Sequence, residues 1–312
     1  MSTDNIEHVK FRNPDMAWDI AADLYFPPSF DRSKTYPAIV CAHPIGSCKE
    51  QTAGNIYATR LADEGYVAIA FDASFQGESG GSPRRVEDPT QRVEDFRRVA
   101  DYLTTLPYVD NDRIGVLGVC GGGGYSLNAV MTERRFKAVV SITGVNYGRM
   151  VRENSIAQGG PVAALQAVAD QRSAELGGAE GQVSAALPPS AEVAKQIGDI
   201  DVIEAYDYYC TPRGQAPNGP ATFDVAHGAS ALGWDAFHLA EVLLTQPALI
   251  VIGDKPGAFG AYRDGYEIYN RAASADKELV VLKGVSHYDL YDQPQGAGAA
   301  LEKAIPFFAK HL

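Results

Sequence analysis

Cys120 stands in the run Gly118-Val119-Cys120-Gly121-Gly122, a G-x-nucleophile-x-G pattern with sulfur where a serine oxygen is usual. Ile114, Val116, Leu117 and Val119 before it read as a buried strand, and glycines fill every position from Gly121 to Gly124. A nucleophile at a sharp strand-to-helix turn holds a strained backbone conformation, so its close neighbours must lack side chains. Gly118 and Gly122 meet that need. The dipole and free N–H groups of the helix that follows favour a thiolate, so the thiol is expected to ionise near neutral pH. A phosphate-binding loop would need a lysine after its last glycine, and none follows. A dinucleotide fingerprint would open the first βαβ unit, whereas this turn comes well into the chain. The plainer alternative is a buried structural cysteine.

A thiol nucleophile needs a base, and the base needs an orienting group. His287 follows the last apolar run, Glu278 to Leu282, through a short loop containing Gly284. Asp254 follows the apolar run Pro247 to Ile252, which ends in Gly253-Asp254. The order Cys120, Asp254, His287 is the nucleophile, acid, histidine order of α/β-hydrolases. Asp264 is the alternative acid, in the helix expected over Tyr262 to Ala273. The oxyanion hole is expected from the Gly121 N–H and from the Ile45 N–H in the turn His43-Pro44-Ile45, with His43 bracing that turn.

The elements that must carry these residues alternate strand and helix. A half-buried, antiparallel, edge-type strand is expected over Trp18 to Phe26, ended by Pro27-Pro28. Apolar runs at Pro37 to Ala42, Tyr66 to Phe71, Ile114 to Val119 and Phe136 to Ile142 alternate with helices over Gln51 to Glu64, Arg92 to Leu106 and the segment after Cys120. This β-α-β rhythm implies a mostly parallel sheet with helices on both faces. His43, Asp72, Cys120 and Thr143 fall at carboxyl ends of strands, where such sheets bind ligands. The rhythm breaks from residue 144 to 244, a stretch rich in Ala and Gly between 158 and 195 and in tyrosine near 206–209. It reads as an inserted, mainly helical lid, with the core formed by residues 1–143 and 245–312.

A net charge of −12 argues against nucleic acid and anionic membranes as partners. The first ten residues carry no secretory apolar run, and nothing approaches a membrane span. The four cysteines (Cys41, Cys48, Cys120, Cys210) show neither C-x-x-C pairing nor zinc spacing, which points to a reducing, cytoplasmic setting and to no metal or other cofactor.

The chain resembles an α/β-hydrolase of the dienelactone hydrolase type, and more closely a lidded bacterial and fungal group that includes polyketide acyl transferases and thiohydrolases. The resemblance rests on His43-Pro44 with Lys49-Glu50-Gln51, on Phe75 to Gly81 with Pro83-Arg84, on the Gly118 to Gly124 elbow, on Tyr209 with Pro212-Arg213-Gly214, and on His287-Tyr288-Asp289-Leu290-Tyr291-Asp292. It covers nearly the full length. It implies the α/β-hydrolase fold, an eight-stranded-type sheet with an inserted helical lid, and a Cys-His-Asp triad with Cys120 as nucleophile and His287 as base. It also implies that Glu78 touches the resting thiol; the alternative is a solvated loop charge. Tyr206, Tyr209, Trp234 and Glu78 are the candidates for lining a substrate pocket.

The expected partner is a small-molecule acyl substrate, and a homodimer is compatible with the sequence. A thiolate suits activated carbonyls, so the expected reaction is hydrolysis of an activated ester, lactone or thioester through an S-acyl enzyme. Acyl transfer to an alcohol or amine, and a non-catalytic binding role on the same scaffold, are the competing readings.

Overall fold

The computed structural model describes residues 5–312. The first two strands, β1 (Ile6–Phe11) and β2 (Ile20–Tyr25), form an antiparallel pair. Six parallel strands follow: β3 (Tyr36–Ala42), β4 (Val67–Phe71), β5 (Val109–Val119), β6 (Phe136–Ile142), and, after the insert, β9 (Ala248–Gly253) and β10 (Lys277–Leu282). The sheet order is β1-β2-β4-β3-β5-β6-β9-β10. β2 runs antiparallel to β4, and every pair from β4 to β10 is parallel. This is the α/β-hydrolase fold.

The central strands read as continuous apolar runs because both of their faces are covered. All of β4 and β9 is buried. The layers are helices α1 (Thr59–Asp63), α2 (Pro89–Thr104), α3 (Gly121–Thr132), α10 (Ala261–Arg271) and α12 (Ala299–His311), with α11 (Asp289–Asp292) a single turn after His287. A π-type turn over Thr52–Ala58 leads into α1, where a plain helix was expected. The start of α2 shows how the sequence sets a boundary. Asp88 caps it by accepting from the Gln91 N–H at 3.0 Å, and Pro89 takes the first helical position, where no N–H is needed. No helix among the described residues is long and apolar enough to cross a membrane.

The insert between β6 and β9 contains α4 (Tyr147–Asn154), α5 (Pro161–Leu176), α6 (Ala191–Ile197), α7 (Ile200–Cys210), α8 (Ala229–Leu232) and α9 (Ala240–Leu243). It also holds a small antiparallel pair, β7 (Val183–Ala185) with β8 (Thr222–Asp224), which the sequence reading did not anticipate. Helix α7 anchors it: Ala205, Tyr208 and Tyr209 are buried in the same apolar cluster as Cys120.

Candidate active site

The elbow has the geometry its glycines imply. Cys120 holds φ 54° and ψ −123° between β5 and α3, a conformation that costs of order 1–3 kcal/mol and persists only where its surroundings enforce it. Four backbone hydrogen bonds do so. The Cys120 N–H donates to Ile142 O (2.9 Å), and Cys120 O accepts from Gly123, Gly124 and Val145 N–H groups (2.9, 3.2 and 3.0 Å). A Cβ on Gly118 would strike Gly122 O and Ser126 Oγ, and one on Gly122 would lie 2.5 Å from Ala42 O and 2.6 Å from His43 O. The elbow thus packs directly on the turn after β3.

That turn brings in the second expected oxyanion donor. The N–H groups of Gly121 and Ile45 both act on the Cys120 sulfur, and the Ile45 side chain fills the space where a Gly121 Cβ would be. Two converging backbone donors are the arrangement needed to hold a developing oxyanion. His43 is fully buried and braces the turn. Its Nδ1 donates to Pro44 O (2.7 Å), its Nε2 accepts from the Ala73 N–H (3.1 Å), and Arg92 Nη2 donates to His43 O (2.8 Å).

Cys120 is 6% exposed and opens into a cavity of about 480 Å³. Burial pushes the thiol up to about 11, against the opposing pull of the Tyr291 hydroxyl and the Gly121 and Ile45 N–H groups. This corrects the expectation of a thiolate at neutral pH: removal from water outweighs the helix N-terminus. His287 is also neutral, because burial lowers it to about 3. Its Nδ1 lies 2.8 Å from Thr143 Oγ1, next to the strand residue Ile142 that holds the Cys120 N–H. Its Nε2 is buried without a hydrogen-bond partner. Phe259, Tyr288 and Tyr291 pack around the imidazole and also line the Cys120 cavity.

The expected acids are placed elsewhere. Asp254 Oδ1 accepts from the Gly284 N–H (2.6 Å). A side chain at Gly253 would run into the Val285 carbonyl, so position 253 faces the loop that carries His287. Asp254, the next residue and already past the end of the strand, is held at the start of that loop by Gly284, three residues before His287. Asp264 is buried in a hydrogen-bonded pair with Arg149 (2.9 and 2.6 Å) and accepts from the Asn146 N–H. Neither carboxylate is a partner of His287.

Of the expected pocket residues, Tyr209 lines the Cys120 cavity. Tyr206 does not. Trp234 packs at a tilt against Tyr125 (ring centroids 5.0 Å apart), beside the other core cluster and away from the Cys120 cavity. Glu78 is half exposed and pairs with the buried Lys49 at 2.9 Å, and no hydrogen bond joins it to the thiol. The cavity wall comes instead from Tyr147, Met150 and Val151 of α4, from Phe223 of β8 and Leu187 just after β7, and from the aromatic residues around His287. The alternation of Tyr288 and Tyr291 after His287 was visible in the sequence as a motif, but its packing role was not.

Comparisons with known proteins agree with this architecture. Residues 21–176 match the dienelactone hydrolase family. The chain is 39% identical to the Escherichia coli K12 protein YcjY over the full length of both. It is 34% identical to Pseudomonas aeruginosa PA2218 over 94% of this chain and 77% of that one. The PA2218 crystal structure superposes with a TM-score of 0.85 over 99% of this chain and 94% of that one. A thiohydrolase of Eupenicillium brefeldianum is 22% identical over 81% of this chain and 80% of its own. The chain belongs to the dienelactone hydrolase family and is a hydrolase-type enzyme on the α/β-hydrolase fold.

Proposed function

We propose that this enzyme cleaves activated esters, lactones or thioesters of uncharged acyl groups through an S-acyl-Cys120 intermediate. The observation that carries the reading is the pair of N–H groups, Gly121 and Ile45, converging on a strained sulfur at the floor of a mainly apolar cavity. Both partners start neutral. As the sulfur attacks the carbonyl carbon, its proton passes to His287 Nε2, and the carbonyl oxygen takes up negative charge against the two N–H groups. Collapse breaks the bond to the leaving oxygen or sulfur, which takes the proton from His287. Water then attacks the thioester with His287 as base, releasing the acid and restoring the thiol. The His287 tautomer this needs has Nδ1–H donating to Thr143 Oγ1, which leaves the Nε2 lone pair free.

None of the described residues lining the cavity is charged, which favours uncharged acyl groups over carboxylated ones. The low exposure of the sulfur also favours a second reading, acyl transfer to an organic acceptor, because a site that restricts water gives a bound alcohol or amine the advantage. Intact-protein mass spectrometry after rapid quench with a p-nitrophenyl ester or an acyl thioester tests the main reading. The expected result is a single acyl adduct on Cys120 and loss of turnover by at least about 1,000-fold in Cys120→Ala. Unchanged turnover in that variant would exclude it. Product analysis with and without added alcohol separates hydrolysis from transfer.

A further inference from the structure

His287 lacks a carboxylate from the expected places, yet one buried carboxylate that nothing else in the site accounts for lines a small cavity together with it. Asp201 lies in the first turn of α7, in the insert, and is 1% exposed. Its Oδ2 accepts from the Phe259 N–H at 2.9 Å, while its Oδ1 is buried without a partner. Asp201, Thr143 and His287 share one small cavity of about 10 Å³, close to the space a single water needs. The loop after β9 is moulded to the carboxyl group: a Cβ on Gly257 would collide with Asp201 Cγ and both of its oxygens. A buried carboxylate with a free oxygen is expensive in a fold unless a positive charge forms beside it at some stage.

We propose that Asp201 is the positioning carboxylate of His287, directly or through one water, so that the acid of the site is delivered by the insert and not by the end of β9. The inference rests on the reading of Cys120 and His287 as nucleophile and base. As His287 accepts the thiol proton, the imidazolium gains a counter-charge that the resting, neutral pair does not need. The titratable and polar groups around Asp201 are Asp199 and Glu204 beside it in sequence, Cys120 and Tyr288, which its charge reaches, Thr143 and His287 from the loops after β6 and β10, and Lys255 and Tyr262 from the segment after β9. Burial, with Asp199 and Glu204 adding to it, raises the Asp201 carboxyl to about 7. Only its ionised form supports an imidazolium, so kcat/KM falls as pH drops below about 7.

Asp201→Asn keeps an oxygen for the Phe259 N–H and removes the charge. The expected result is a fall in kcat of about 100-fold or more with KM changed by less than about threefold, loss of the limb near pH 7, and partial recovery in Asp201→Glu. Activity within about threefold of wild type with the limb intact overturns the inference. A second measurement needs no variant. In ¹⁵N-histidine spectra of the wild-type enzyme, the His287 ring signals move with pH around 7 while the imidazole stays neutral. No movement between pH 5 and 9 overturns the inference as well. The two readings fail separately: an active Cys120→Ala enzyme removes the nucleophile, whereas an inactive Cys120→Ala beside a fully active Asp201→Asn removes only the role of Asp201.

Discussion

At the scale of single residues, the site stores its reactants in their neutral forms. Desolvation sets both states: the thiol is raised to about 11 and the imidazole lowered to about 3. Under the proposed mechanism, such a thiol acts when substrate brings the carbonyl and the proton acceptor into place together, and is quiet otherwise. Alkylation by iodoacetamide reads this directly. Cys120 should react slowly at pH 7, where about one thiol in 10,000 is ionised, and its rate should climb about tenfold per pH unit toward 11. Peptide mapping separates it from Cys210, the exposed cysteine, while Cys41 and Cys48 stay buried. Rapid labelling of Cys120 at neutral pH would contradict the burial argument. The residue types were legible in the sequence, since the elbow and the histidine motif need only local spacing. The protonation states were not, because they depend on what the insert places around the sulfur.

At the scale of elements, the two N–H groups that converge on the Cys120 sulfur follow two different strands, at the start of α3 and in the turn after β3, and are fixed by one close packing. The elbow after β5 touches the turn after β3 through Gly122, and Arg92 of α2 holds that turn from below through His43. Gly122→Ala should therefore act on chemistry more than on fold. Its methyl group would push Ala42 O and His43 O away and shift the Ile45 N–H from the sulfur. We expect kcat to fall by about 100-fold or more, in the range seen when one oxyanion donor is lost, with a modest drop in Tm. Gly298→Ala is the matched control, because nothing lies within 4 Å of its added methyl, and it should keep full activity. Equal kcat in the two variants would break the link between packing and catalysis. The buried parallel strands were legible as apolar runs covered on both faces. β1 was not, because it lies at the sheet edge, with exposed and half-buried positions and little apolar signal. β7 and β8 were not, because two three-residue strands, one exposed and one half-buried, leave no period to detect. Asp201 escaped for a related reason. Its first-turn position on α7 looks like ordinary helix capping, and only the tertiary docking of α7 brings it to the small cavity that His287 also lines.

At the scale of the whole molecule, Cys120 and His287 follow strands of the sheet, and the segment between β6 and β9 supplies much of the wall of the cavity onto which Cys120 opens. The acidic balance of the chain stops at the cavity wall, where the described lining is uncharged and largely aromatic or aliphatic. A cavity of about 480 Å³ lies in the range of small-molecule sites, large enough for a substituted aryl or medium acyl group. A carboxylate carried into it would lose its hydration without gaining a cation, a loss of several kcal/mol. Paired substrates of equal shape measure this. For p-nitrophenyl esters whose acyl group ends in either a methyl or a carboxylate, kcat/KM should favour the methyl-ended ester by about 100-fold or more, with most of the difference in KM. Met150→Arg, which sets a cation in the cavity wall, should narrow or reverse that ratio while leaving Cys120 and His287 in place. A wild-type preference for the carboxylate-ended ester would mean that substrates reach the sulfur by another route than this cavity, and the insert would then have no part in choosing them.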